Sequence, residues 1–477
     1  MQLLLAAAES PDTTSVTAFF SFVTANWEFC VMQFLEFAIW GAWFVVLGNL
    51  LNARGFTRTQ IGRVYACMPI GSMVTPLFIG TVADNYVNAE VLVGVCHLLG
   101  FVLLFMMAKA KNPTPFYFLT LLYALVFSPT LTLTSSIIFA DDSAAGGFAW
   151  IRVFGTIGWI VAGLSHAVIL KKDQPVNENP LILASVLSLA LGIFSLTVLP
   201  ETKPGAVLAY ESAVQTLVDD GMSQEEAKAQ ATTDLANSES PDTFQATLGM
   251  LTGNPVFFGV TFVAAMAMGL YFAFAALFVE KTGVPSRIVG PVMTIGQVIE
   301  IFFMLALPYF LGPNYEYMNW VLLIGISAWA LRFALFAIGR PIALVLAGVA
   351  IHGICFDFFF GAGFYNADLV APEGLTNTAQ AFYGFLVYGL GMFLGSEAAG
   401  WLNQRFSQPV ESTTDAASET AAVEARTNWT GFWGIPCAVV AACTVLFALS
   451  ADLNVAETTV EDATEEVSEM ASEAAAN

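Results

Sequence analysis

Four stretches of this 477-residue chain set ionisable side chains among apolar ones: FLEFAIW (Glu36), AWIRVFGTIGW (Arg152), GQVIEIFF (Glu300) and IHGICFDFFF (His352 and Asp357). A charge inside hydrocarbon costs at least about 3 kcal/mol unless it is paired or wet. Intramembrane carboxylates therefore line a cavity, pair with a base or carry protons. Glu36, Glu300 and Asp357 invite all three readings.

Spacing sharpens the question, because residues i, i+3, i+4 and i+7 share a helix face. Gln33, Glu36, Trp40 and Trp43 make one such stripe, and Arg152, Thr156 and Trp159 another. Gln297 and Glu300 are three apart, and His352, Phe356 and Phe359 line one face. At 100° per residue, Asp357 lies about 140° around from His352.

Each stripe also has a plainer reading. Gln297 and Thr156 fit hydrogen bonds between packed helices. Arg152, near the start of its run, fits snorkelling to the interface. Trp40 and Trp43 fit packing or an aromatic belt, and the three carboxylates fit structural ion pairs. His97, His166 and Arg332 read as core or interface groups. The six cysteines follow no C-x-x-C spacing and read as buried thiols. The sequence holds no P-loop, H-E-x-x-H, G-x-S-x-G or zinc spacing. No enzyme activity, metal or cofactor is expected, and transport without an ATP site runs on a gradient or is passive. NWT at Asn428 matches a glycosylation acceptor only in its three residues.

The elements that hold these residues are long apolar runs. Hydrophobic residues make up 57% of the chain and charged ones 11%, against about 25% charged in soluble domains. Twelve runs read as transmembrane helices with cores at 28–51, 62–83, 91–110, 116–138, 149–170, 180–199, 255–279, 288–311, 319–338, 341–364, 377–402 and 431–450. The fold class is an all-α integral membrane protein of two six-helix halves. The organisation is an N-terminal segment 1–27, a half at 28–199, an acidic linker 200–254 with one or two short surface helices, a half at 255–450 and an acidic disordered tail 451–477. Gly80 with Asp84, and Gly391 with Gly395, mark close helix contacts.

The net charge of −22 is uneven: 21 of 38 acidic residues fall between Glu201 and Asp242, between Glu411 and Glu424, and beyond Ala451. It excludes nucleic acid and anionic lipid as favoured partners. Loop lysines and arginines place the N-terminus outside when counted literally. Arg54, Arg58, Lys109, Lys111, Lys171 and Lys172 lie on one side, and Lys203 and Lys228 on the other.

FLEFAIWGAWFVVLGNLL, GTVADN, VCHLLG, FSPTLTL, IRVFGTIGW, SAWALRFALFA and GICFDFF resemble the nucleoside:proton symporter family of the major facilitator superfamily, over roughly residues 30–450. The resemblance implies a proton-coupled nucleoside importer working by alternating access as a monomer in the bacterial inner membrane, both termini cytoplasmic. It implies substrate contacts at Arg152, Thr156, Trp159, Gln297, Glu300 and Phe356, and puts Asp357 and Glu300 forward for the proton, with Glu36 third. The partners expected are a nucleoside, protons and the bilayer.

The chain also departs from the pattern. His352 stands where the family has tyrosine, Glu36 where glutamine is usual, and Asn85 where a basic residue follows the G-x-x-x-D signature. The seventh run reads GLYF, Gly269 to Phe272, without the family's amides. Tyr271 and His352 are candidates to replace them as substrate contacts. A symporter of a sugar or another small polar metabolite stays open on the same scaffold. A non-transporting sensor is a more remote alternative.

Overall fold

The computed structural model describes residues 16–75, 87–237, 243–371, 375–409, 425–451 and 453. Among them ten helices are long and apolar enough to cross a bilayer, or eleven if the bent pair Ile342–Ala350 and His352–Leu369 is one span. Hydrocarbon offers the backbone no hydrogen-bond partners, so each crossing segment must satisfy its own amides as a helix. The run expected at 62–83 opens as helices Arg58–Tyr65 and Cys67–Val74. Its end, with Gly80, Asp84 and Asn85, lies outside the described residues, as do Glu411–Glu424 and most of the tail.

We number the spans in the order expected from the sequence. The first is Trp27–Ala53, the third Ala89–Lys109, the fourth Pro113–Phe139, the fifth Phe148–Ile169 and the sixth Asn179–Thr197. The seventh is Pro255–Lys281, the eighth Ser286–Leu311 and the ninth Met318–Ile338; the bent pair is the tenth, Thr378–Arg405 the eleventh and Trp429–Ser450 the twelfth. Local chemistry sets their ends. Proline occupies the first turn of the fourth, sixth and seventh, where its missing N–H costs nothing. A Thr57–Gln60 capping box starts the second, and Gly339, at φ 68°, ends the ninth in a left-handed cap that favours glycine.

The linker differs from expectation. It holds three helices, Gly205–Asp219, Gln224–Asn237 and Thr243–Gly253. The first two pair through buried Val214, Ala227 and Ala231, with Tyr210 and Leu217 packed beside them. The alanine spacing gives the second helix an apolar edge that its charge obscures in the sequence. A short hairpin, Ser407–Pro409 with Ala425–Thr427, was not anticipated either. A helix, Val16–Ala25, precedes the first span.

The two halves meet along the fifth and eighth spans, the second and eleventh, and the first and seventh. One end is tightly shut. A methyl on Gly62 would sit 2.8 Å from Gly400 Cα, and one on Gly48 2.8 Å from Ala273 O. Beside these crossings Asn49 donates to the Glu280 carboxylate and to Ala276 O, while Glu280 accepts from Ser286. Arg63 lies 3.8 Å from Glu397. The expected close approach at Gly391 and Gly395 is present against the seventh span at Ala265 and Met266.

Loop arginines at this end have structural work. The Arg54 guanidinium donates to the carbonyls of Met107, Ala108 and Ala110, closing the C-terminus of the third span. Arg58 donates to Asn52. Cys30, Cys67 and Cys355 are buried as expected, but Cys96, Cys437 and Cys443 are half-exposed. Asn428 accepts from Gly431 N and caps the twelfth span.

Candidate functional site

Small residues on the eighth and tenth spans bring their backbones together. A methyl on Gly353 would meet Glu300 Cα at 2.8 Å, and one on Gly296 would meet His352 Cβ at 2.7 Å. This contact sets His352 Nε2 3.5 Å from Glu300 Oε2. The His352 ring is sandwiched between Tyr271 and Phe356, at centroid distances of 5.6 and 5.8 Å. Glu300 also lies within electrostatic reach of Arg152, from the other half, and of Arg332. Arg152 itself stacks its guanidinium 4.0 Å over Phe37. It is turned to the interface between the halves rather than to the membrane surface.

Asp357 is buried, and its Oδ2 has no hydrogen-bond partner. It lies within electrostatic reach of Glu300. The wheel angle from His352 thus does not carry it away from the cluster. The reason is local: the tenth span bends by 44° just before His352, and Phe356–Gly361 forms a π-helix. A π turn takes more residues per revolution, so each turns the chain less. Carbonyls loosened by the wide turn find partners on neighbours. Trp329 Nε1 donates to Cys355 O at 2.8 Å, and the Tyr383 hydroxyl leans on Phe359 O and Phe360 O.

A narrow pocket between the halves, with room for about one water molecule, is lined by Val45, Trp159, Tyr271, Phe272, Ala276, Met293 and Gln297. Trp40 meets Trp159 edge to face at 5.4 Å. Several polar atoms around it are buried without partners: Trp40 Nε1, Trp159 Nε1, Tyr271 OH, Gln297 Oε1 and His352 Nδ1. Buried polar groups normally find partners, and these have hydrogen-bonding capacity left unused. Thr156 is also buried.

Glu36 does not join this group. Its Oε2 is 2.7 Å from His97 Nε2, and its Oε1 accepts from Thr130 at 2.6 Å. Ser188 donates to His97 O at 2.8 Å, and its Oγ faces His97 Nδ1 at 3.2 Å. The four side chains come from the first, third, fourth and sixth spans and are at most 1% exposed. His97 is indeed a core histidine, paired with a carboxylate. His166 is another, with Nε2 2.7 Å from Ala42 O.

The sequence reading missed two residues near Glu300. Tyr388, in the π segment Phe385–Gly391 of the eleventh span, lies within electrostatic reach of Arg152, Glu300 and Asp357. Arg332, read from the sequence as a core or interface group, is wholly buried. A polar residue deep in an apolar run was the available signal for both.

Among the described residues no cluster of His, Cys, Asp and Glu could hold a metal ion. The family model described as Nucleoside H+ symporter matches residues 23–454. The putative nucleoside transporter YegT of Escherichia coli (strain K12) is 30% identical over 432 residues, covering 88% of this chain and 92% of the relative. The nucleoside permease NupG of the same organism is 29% identical over 388 residues, covering 79% and 88%. The crystal structure of the nucleoside transporter NupG superposes with a TM-score of 0.70 at 23% identity, covering 89% of this chain and 99% of that one. That likeness establishes the major facilitator fold. The chain is a multi-pass membrane transporter rather than an enzyme, and it belongs to the nucleoside H+ symporter family.

Proposed function

We propose that this protein imports nucleosides with protons by alternating access. One observation carries the reading: Glu300, 3.5 Å from His352, lies within electrostatic reach both of Arg152 from the other half and of the buried Asp357. A charge at this depth is costly, and two carboxylates so close cannot both stay ionised cheaply. The pair therefore holds one exchangeable proton, and its charge state biases which side is open. Trp159, Tyr271 and Phe356 offer rings to a planar base, while Gln297, Thr156, Arg152 and His352 offer hydrogen bonds to base or ribose. His352, replacing the usual tyrosine, tunes which nucleosides fit. We assign Glu36 to the closed contact with His97 rather than to the coupling proton.

The test is uptake into proteoliposomes with an imposed pH gradient, inside alkaline. Labelled uridine is expected to accumulate, to be competed by other nucleosides and not by sugars, and to stop when the gradient is collapsed. Uptake of a sugar with no uptake or binding of nucleosides overturns the substrate class.

We place both termini and the linker in the cytoplasm of a bacterial inner membrane. The arginines that argue otherwise include Arg54 and Arg58, which are used within the fold and say little about orientation. The shut end then faces outward. Gln230→Cys in the exposed linker is expected to resist a membrane-impermeant maleimide in intact cells and to react after lysis. Labelling of intact cells reverses the orientation.

A further inference from the structure

Arg332 is 0% exposed. Its Nε donates to Gly348 O at 2.9 Å, and its guanidinium carbon lies 4.4 Å over Tyr271 and 4.8 Å over Trp329. Both terminal nitrogens, Nη1 and Nη2, lack partners. Guanidinium does not deprotonate in proteins, so a full positive charge is stored here. No carboxylate pairs with it among the described residues. Buried charges without a partner are expensive and seldom kept without a use.

Tyr271 on the seventh span, under the guanidinium, stacks on His352 of the tenth, which is 3.5 Å from Glu300 on the eighth, and Glu300 and Cys355 lie within electrostatic reach of Arg332. Glu300 is the one carboxylate among them. We propose that Arg332 is the resident counter-charge of the proton site, a positioning residue whose free Nη1 and Nη2 receive Glu300 when the coupling proton leaves. The proton passes from the carboxyl oxygen to water on the linker side. The negative charge that remains is held by Arg332 inside the membrane. Reprotonation from the opposite side neutralises Glu300 and frees the arginine again. This inference rests on the proton-coupled reading above.

Purified full-length protein in proteoliposomes tests it, with uridine as probe. Arg332→Gln is expected to cut accumulation under a one-unit pH gradient by about tenfold, the span one coupled proton supports. Counterflow exchange, which needs no net proton movement, is expected to stay within about twofold of wild type. Arg332→Lys keeps the charge and is expected to restore most of the accumulation. Wild-type accumulation by Arg332→Gln overturns the proposal, as does equal loss of accumulation and exchange with unchanged melting. Where Arg332→Gln does not fold, Arg332→Gln/Glu300→Gln is expected to recover folded protein by removing both charges; failure to recover it overturns the proposal. A wild-type protein that exchanges uridine but never accumulates it refutes the proton-coupled reading instead, before any variant is compared.

Discussion

Asp357→Asn is expected to abolish pH-driven accumulation of nucleoside while counterflow exchange continues at near the wild-type rate. The substitution keeps the side chain's shape and removes its proton chemistry. In the native pair, Glu300 and Asp357 share one exchangeable proton because both cannot cheaply be charged together. With asparagine at 357, Glu300 keeps the charge throughout, matched by the arginines on either side of it. The site still binds and still reorients, so labelled substrate exchanges across the membrane. It no longer carries a proton with each passage, so a one-unit gradient should lose its roughly tenfold driving ratio. Proteoliposomes run in both modes give the measurement. Loss of nucleoside binding in Asp357→Asn would show that the aspartate holds substrate instead.

The second large effect is on stability and concerns Glu36. Removing one member of a buried, hydrogen-bonded pair leaves its partner unsatisfied and costs about 1–3 kcal/mol, more where that partner is charged. His97→Leu and Glu36→Leu are each expected to lower stability by that amount in thermal or denaturant unfolding of the solubilised protein. The double variant should lose less than the two singles together, since both partners leave at once. Glu36→Gln should behave differently. Its carbonyl oxygen still accepts from Thr130, and its amide donates to His97 Nε2, because Ser188 fixes the ring proton on Nδ1. This variant should keep both stability and accumulation. Accumulation lost in Glu36→Gln with unchanged melting would instead make Glu36 a coupling residue.

The sequence made the spans legible for a simple reason. Hydrocarbon forces helix on any apolar run long enough to cross it, so length and composition suffice. The faces of single helices were legible too: Gln297 lies beside Tyr271, and His352 packs on Phe356 and sits 3.5 Å from Glu300. What periodicity does not show is which face meets which helix. Glu36 and His97 sit on separate spans 61 residues apart, and nothing in either span announces the other. Arg332 reads equally as a core or an interface group because its neighbours in sequence are apolar whether it is deep or shallow. The third linker helix, TFQATLGMLTG, escaped because it is only 11 residues long and runs up to the apolar stretch of the seventh span.

The run of phenylalanines after Asp357 has a consequence for how this family member tolerates change in length. A π segment holds one residue more than the α-helix it interrupts. Deleting any one of Phe358, Phe359 or Phe360 would leave an unbroken α-helix of good composition. It would leave the far end of the span in phase, because the wide turn sweeps with one residue more about the angle an α-turn sweeps without it, but it would strand the Trp329 and Tyr383 donors that now reach the loosened carbonyls. The stretch therefore accepts exchanges among large apolar residues more readily than it accepts the loss of one. Its residue count, more than its residue types, keeps open the carbonyls that Trp329 and Tyr383 reach.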